Sequence, residues 1–217
     1  MAGQPFEHTL TDIGQLEQLY RSPSKGAVAK EIDHLDDAAR SFIGASTFCL
    51  VATADRQGRA DVSPKGGDPG FVQVLDEHRL VIPDLNGNNR LDSLRNIVDN
   101  PRAGLLFLVP EEGATLRVKG RAWVTTDPTI LGSFAEYREP TTAIAVEVDS
   151  VYMHCAKCIR RAGLWDPGSW TRTADSPTGT DLLASALGLD DTQRAKLEAN
   201  LESSYAEGLA ADRPVTG

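Results

Sequence analysis

One stretch constrains this chain more than any other. It runs from Arg79 to Pro110 and reads R-L-V-I-P-D-L-N-G-N-N-R-L-D-S-L-R-N-I-V-D-N-P-R-A-G-L-L-F-L-V-P. The apolar run Leu80 to Ile82 has strand content and breaks at Pro83. A polar loop follows, Asp84 to Asn89, and Arg90 is expected to open a helix that places Leu91, Leu94, Ile97 and Val98 inward. That helix must stop at Asn100-Pro101, because a residue before proline is pushed out of the helical region. A second apolar strand, Gly104 to Val109, comes straight after. Strand, amide-rich loop, arginine at a helix start, strand: such an order presents backbone N–H groups and a fixed positive charge to an anion.

The rest of the chain supplies mostly strands. Thr47 to Ala54 reads as a buried strand, and Asp55-Arg56-Gln57-Gly58 has turn chemistry. Arg59 to Ser63 returns as its hairpin partner, and Pro64, with no N–H to donate, is expected to end regular pairing. Lys65 then precedes a flexible loop, Gly66 to Gly70. Phe71 to Leu75 alternates as a third strand and Arg79 to Ile82 is the fourth. Thr115 to Thr125 is a long sixth strand whose Gly120 suggests a bulge. Asp127-Pro128 starts a short helix with Asp127 as cap, and Thr142 to Val151 is a seventh strand. Short strands at hairpin spacing favour an antiparallel barrel over a parallel sheet.

Helices flank this core. Residues 9–21 are expected to be helical, capped by Thr11 or Thr9, with Ile13, Leu16, Leu19 and Tyr20 on one face. A longer helix is expected over 27–43, where Val28, Ile32, Leu35, Ala39 and Phe42 recur at helical steps. Both are read as packing against the domain. His154 to Gly163 reads as a basic helix, and Trp165 to Trp170 as a loop. Residues 172–179 are rich in Ser, Thr and Pro and are expected to be mobile. Helices follow at Asp181 to Leu187 and Asp191 to Leu209, the second amphipathic through Ala195, Leu197, Leu201 and Tyr205; the chain is expected to fray from Asp212.

Charge narrows the partners. Twenty-two basic and 31 acidic residues give a net charge of −9, with no basic tract, which argues against general nucleic-acid binding. No apolar run approaches the roughly 20 residues that span a bilayer, so no membrane partner is expected. The N-terminal M-A-G-Q-P-F-E-H has neither basic segment nor apolar core, and three cysteines make no disulfide framework; both lead to a cytoplasmic expectation.

Lys65 and Arg90 are the residues that point to chemistry. A phosphate monoester needs fixed cations and charge-assisted hydrogen bonds, and a cation at a helix start is slightly unfavourable until an anion joins it. On spacing alone, two solvated surface charges explain them somewhat better. His154, Cys155 and Cys158 form H-C-x-x-C, but a structural zinc site needs four ligands and no second pair exists; packing or a thiol pair at a helix start remain, and no metal is expected. Trp165 and Trp170 either cover a barrel mouth or shape a pocket. Arg117, Lys119 and Arg121 alternate on one strand face, where solvent, an anion or a second subunit would meet them.

The combination Asp61-Val62-Ser63-Pro64-Lys65-Gly66, then Val81-Ile82-Pro83-Asp84 with Gly87-Asn88-Asn89-Arg90, then Asn100-Pro101 before an apolar strand, resembles the pyridoxamine 5′-phosphate oxidase superfamily. More narrowly it resembles the superfamily's FMN-dependent, oxidase-related group, whose C-terminal pattern is similar to His154-Cys155-Ala156-Lys157 with Arg161 and Leu164-Trp165-Asp166-Pro167. The resemblance covers about 28–170 and leaves the terminal helices outside. It implies a mainly β fold with α: an FMN-binding split β-barrel with flanking helices and a helical C-terminal extension. The expected division is a helical lead-in over 1–26, the split-barrel domain over 27–170, and a linker with helices over 171–217. It implies a homodimer with FMN at the subunit interface. Lys65, Asn89 and Arg90 would grip the phosphate with Ser63 assisting, and Asn88 joins this cofactor-binding set. The backbone around Asp61, Val62 and Pro83 would border the isoalloxazine ring. Arg161 and Trp165 would approach the flavin from the partner subunit.

The oxidase proper carries an arginine–lysine pair after the polar loop, whereas Arg90 is followed by Leu91, and its pyridoxal-phosphate-binding residues find no match. The resemblance therefore implies the flavin site rather than the vitamin B6 activity. The function expected is FMN-dependent oxidoreduction of a small substrate, with no catalytic residue assigned, since the cofactor carries the redox step. The alternative is a non-catalytic protein binding flavin, deazaflavin F420 or haem.

Overall fold

A computed structural model describes residues 6–171, 173 and 175–214. Three short helices lead in: α1 (Ile13–Leu19), α2 (Lys25–Ala29) and α3 (Asp37–Ala45). Strands β1 (Phe48–Ala54), β2 (Ala60–Gly66), β3 (Gln73–Val74) and β4 (Arg79–Pro83) follow, then α4 (Asp92–Asp99), β5 (Arg102–Leu108), β6 (Thr115–Thr125), the single turn α5 (Pro128–Leu131) and β7 (Ala143–His154). Beyond the sheet come α6 (Lys157–Ala162), α7 (Gly179–Leu187) and α8 (Asp191–Ala211). None of the described helices is long and apolar enough to cross a membrane.

All seven strands join one antiparallel sheet in the order β2-β1-β5-β6-β7-β4-β3. The sheet does not close by hydrogen bonds, but it curls. Lys65 of β2 and Asp84, just past β4, stand near opposite ends of that order, yet their side chains meet at 3.1 Å. Strands lie about 4.8 Å apart, so a flat sheet would hold them roughly 24 Å apart. The curled sheet wraps a core of Leu35, Ile43, Leu80, Ile82, Leu105, Phe107, Val118 and Ile144, each essentially inaccessible to solvent. The expected split-barrel architecture thus corresponds here to an open, curled seven-stranded sheet.

Gly120 holds the geometry of the longest pair. The register of β6 on β7 shifts between Lys119 and Gly120, and a Cβ on Gly120 would collide with the Glu147 carbonyl. Only glycine lets the two backbones approach so closely at a bulge.

Several local expectations are corrected. The helix read over 27–43 is two helices. Between them Ile32 leaves helical geometry to exchange both backbone hydrogen bonds with Val151, at 3.0 and 2.8 Å. Asp36 then caps a new start by accepting from the Ala39 N–H at 2.8 Å. The helix expected over 9–21 is only Ile13–Leu19, capped by Asp12 rather than by either threonine, and Ile13, Leu19 and Tyr20 are exposed rather than packed. Pro64 does not end β2: it pairs with Leu50, and pairing runs on to Gly66 opposite Phe48. An edge strand needs only one side of its backbone for the ladder, so a missing N–H on the other side costs nothing. The third strand shrinks to Gln73–Val74, and β7 extends to His154, which is therefore strand and not helix.

α4 begins at Asp92, two residues after Arg90. It buries Ser93 and Ile97, while Leu91 and Val98 are exposed. At the C-terminal end no α8 residue is fully buried: of its expected apolar face Leu197 and Leu201 are half-buried, while Ala195 and Tyr205 are exposed. The expected fraying at Asp212 is also corrected, because the Arg138 N–H donates to the Asp212 carbonyl and Arg213 pairs with Asp68. Of the stretch 172–179, Arg172 and Ala174 lie outside the described residues, and Thr178 forms a capping box with Asp181 at the start of α7.

Candidate functional site

Where the curled edges of the sheet approach each other, a cavity of about 480 Å³ opens. One wall is β2, from Asp61 to Gly66; another is Pro83 at the end of β4 with the loop that follows it to Leu94. The volume lies within the range of small-molecule and cofactor sites.

Eight of the ten residues expected to bind a cofactor line this cavity: Asp61, Val62, Ser63, Lys65, Pro83, Asn88, Asn89 and Arg90. Arg161 and Trp165 do not. Arg161 is exposed on α6, and the Trp165 indole N–H donates to the Glu112 carbonyl at 2.7 Å.

The loop between β4 and α4 has unusual backbone. Asn89 and Leu91 both take positive φ, 54° and 61°. Asparagine tolerates this conformation, but a leucine there is strained by its Cβ. Strain of this kind persists where the surroundings impose it, and it gathers at ligand sites. Within the loop the Arg90 N–H donates to Asn88 Oδ1 at 3.1 Å, which sets the turn into the helix. Leu91 occupies the cap position of α4 and offers no side-chain acceptor, so no side chain caps the first-turn N–H groups of this eight-residue helix.

Both cations already hold a carboxylate. Lys65 Nζ donates to Asp84 Oδ1 at 3.1 Å, with roughly a fifth of each side chain accessible, 21% and 23%. Arg90 Nε donates to Asp92 Oδ2 at 2.7 Å on a more exposed surface. The Asp92 hydrogen bond, with its charge, raises the already high pKa of the Arg90 guanidinium further. Asp92, in the first turn of α4, thus answers the conflict between Arg90 and the helix start that sequence reasoning left to a bound anion. An ammonium carries three donors and a guanidinium five. One donor from each is engaged by these carboxylates, which fix the cations in place while leaving donors to spare.

Four further contributors were not foreseen. Ser93 is buried and its hydroxyl donates to Asp61 Oδ2 at 3.0 Å, locking α4 to β2 across the cavity floor. Its place two residues into the helix after a polar loop was the signal. Leu91 lines the cavity through its strained backbone position. Leu209 and Asp212, at the end of α8, also line it, and no local pattern marks them.

The remaining candidates lie elsewhere. Cys155 and Cys158 are exposed, with Cys158 Sγ 3.9 Å from the Cys155 carbonyl oxygen, and no group of three or more His, Cys, Asp or Glu among the described residues is placed to hold a metal. Arg117 donates to the Tyr152 hydroxyl at 2.7 Å, Lys119 pairs with Glu31 at 3.2 Å, and Arg121 lies over the Trp123 ring. The Trp170 indole donates to the Gly163 carbonyl.

Against known proteins, the family model for pyridoxamine 5′-phosphate oxidase matches residues 35–155, more than half of the chain. No curated protein matches. Among solved structures, HupZ from Group A Streptococcus is 18% identical, over 54% of this chain and 92% of that one, with a TM-score of 0.44. A protein from Clostridium acetobutylicum related to general stress protein 26, of the pyridoxinephosphate oxidase family, is 14% identical over 54% and 86%, with a TM-score of 0.42. An F420 reductase is 16% identical over 53% and 94%, with a TM-score of 0.38. Identities and scores this low leave the family model as the finding that places the chain.

Proposed function

The chain belongs to the pyridoxamine 5′-phosphate oxidase family, and from that premise we propose that it binds FMN in the cavity and acts as an FMN-dependent oxidoreductase on a small organic substrate. When bound, the flavin supplies hydride and electron transfer. The chain's own residues do the rest. Lys65 and Arg90 bind the phosphate with their spare donors, held in position by Asp84 and Asp92. The uncapped N–H groups of α4 and the amides around Asn88 and Asn89 complete the cradle, and the Ser63 hydroxyl assists. The backbone of Asp61, Val62 and Pro83 borders the ring system and sets its orientation.

One observation carries this reading. Lys65, from the edge of the sheet, and the strained, side-chain-uncapped start of α4 line the same cavity. A phosphate is the small dianion that both would serve.

Residues 27–170 form the flavin-binding domain in this reading, with 1–26 as lead-in and 171–217 as extension. The active unit is a homodimer, in which Arg161 and Trp165 serve the partner's flavin; their position away from their own cavity supports that role. Exposed apolar side chains on the strands, including Phe48, Val62, Trp123 and Met153, support self-association. Three free cysteines fit a reducing cytoplasm.

The purified protein is expected to be yellow or to become so on adding FMN, and to run as a dimer in analytical ultracentrifugation. A folded protein that shows no flavin absorbance and ignores added FMN would sink the proposal. Reduction of the bound flavin by NADH or NADPH, followed by reoxidation with small acceptors, separates an enzyme from a passive carrier.

A further inference from the structure

The cavity has one wall that lies outside the residues matching the family. No residue of α8 is fully buried along its 21 residues, yet its end is fastened at four points. The Asn86 N–H donates to Asp212 Oδ1 at 2.8 Å. The Arg138 N–H donates to the Asp212 carbonyl at 2.7 Å. Arg213 makes a two-pronged ion pair with Asp68 and lies over the Tyr137 ring, and the Tyr137 hydroxyl accepts from the Asp68 N–H at 2.8 Å. Gly208 packs so near the loop that a Cβ there would sit 3.3 Å from Asn86 Nδ2. At the other end, Asp181 of α7 binds Arg194 of α8, and Gly188 turns the chain between the two helices at φ 65°.

This arrangement puts a carboxylate on the loop proposed to receive phosphate. Asp212 takes a backbone amide of the Asp84–Asn89 loop, the kind of donor an anion recruits, and it lines the same cavity as Lys65 and Arg90. Asp61, Asp84 and Asp92 line it too, but the first is held by Ser93 and the other two by the cations. The Asp212 carboxylate is bound through backbone, at the end of a helix none of whose residues is fully buried. A second anion entering the cavity meets its charge directly, and the cheapest response is for that segment to leave.

We propose that Leu209–Arg213 is an internal gate on the phosphate site. The Asp212 carboxylate stands in for the ligand's anion on the Asn86 amide, and the segment lets go of the loop, opening locally at the end of α8, when a phosphorylated ligand binds. The inference rests on the flavin reading. It adds that occupancy of the site is opposed by the chain's own C-terminal segment, and that the opposition is specific to ligands carrying the phosphate.

The test uses the full chain freed of flavin, titrated with FMN and with riboflavin, which lacks the phosphate. Asp212→Asn keeps the shape and an oxygen acceptor but removes the charge; Arg213→Ala loosens the segment separately. Both are expected to tighten FMN at least about fivefold, the lower end of ordinary coupling between sites, and to leave riboflavin unchanged. Amide hydrogen exchange over 205–213 is expected to accelerate when FMN binds to the wild-type chain. If both variants bind FMN as tightly as wild type or less, and exchange over 205–213 does not rise, the segment is a fixed wall and the gate is wrong while the flavin reading stands. If tightening is equal for riboflavin, the barrier is steric and the proposed charge mechanism is wrong. If folded wild-type and variant chains all ignore FMN, the gate and the flavin reading fall together.

Discussion

The two walls of the cavity are built from opposite kinds of structure. The β2 wall is an edge strand with no fully buried residue of its own, but it is paired over seven residues, from Phe48–Gly66 to Ala54–Ala60, to β1, which buries Cys49 and Val51 in the core. The α8 wall is the end of a helix with no fully buried residue, which packs on α7 and meets the cavity through a few polar contacts. A seven-residue ladder to a strand rooted in the core opens at higher cost than a helix end held by a few exposed polar contacts. In the proposed reading, the first wall fixes where a ligand sits and the second decides when it enters.

The largest expected contrast is in stability. Phe107→Ala removes a fully buried ring from the sheet core and is expected to cost about 3–5 kcal/mol in urea unfolding. Tyr205→Ala, on the exposed face of α8, is expected to stay within about 0.5 kcal/mol. Similar costs for the two would erase the distinction between the walls. Next in size is the ligand itself. Lys65→Ala deletes a partly buried charged donor from the fixed wall and is expected to weaken FMN about 10- to 100-fold by fluorescence titration, following the ~1.5–3 kcal/mol typical of hydrogen bonds to charged groups. An unchanged affinity would move the phosphate elsewhere.

Thiol chemistry sharpens the same contrast. Cys49 lies opposite Lys65 in the β1–β2 ladder, and burial pushes its thiol pKa up to about 12, the nearby Lys65 charge offsetting this only in part. A thiol reagent at neutral pH is expected to modify Cys155 and Cys158 in the folded protein and Cys49 only on global unfolding. Early labelling of Cys49 would mean that the sheet wall also opens locally.

The smallest effect is in the helical extension. The Arg194 hydrogen bond, joined by hydrogen bonds from Thr178, depresses the Asp181 carboxyl far below the usual carboxylate range. A lowered folded-state pKa adds stability above the ordinary carboxylate pKa of about 4, and that contribution fades as the pH falls toward the depressed value. Arg194→Ala is expected to make α7–α8 lose helicity at a higher pH during acid titration, read by circular dichroism. An identical acid midpoint would show that another contact holds the two helices.

Sequence reasoning saw the parts of this molecule that local pattern dictates. Thr115 to Thr125 alternates cleanly and is β6 to the residue, and Gly120 marks its bulge. Asp127 caps α5 as a side chain followed by proline should. The motif residues from Asp61 to Lys65 and from Asn88 to Arg90 line one cavity, because the order of the strands carries them there. What escaped depends on distant partners. Helical spacing over 27–43 was overridden at Ile32 by a bridge to Val151, which no local window contains. Pro64 stayed in a strand because β2 turned out to be an edge, a property of the whole sheet. Asp84 and Asp92 as holders of the two cations, and Asp212 as a wall, emerge only once the chain has folded back on itself.

Lys65 and Asp84 meet although five strand spacings separate their places in the sheet order. Neither margin of the sheet owns the pocket; it exists only in molecules whose every strand has found its neighbour and whose curvature is complete. A molecule with one mispaired strand has no place for a guest. If the proposed flavin binds there, its uptake during refolding would report finished assembly of the sheet.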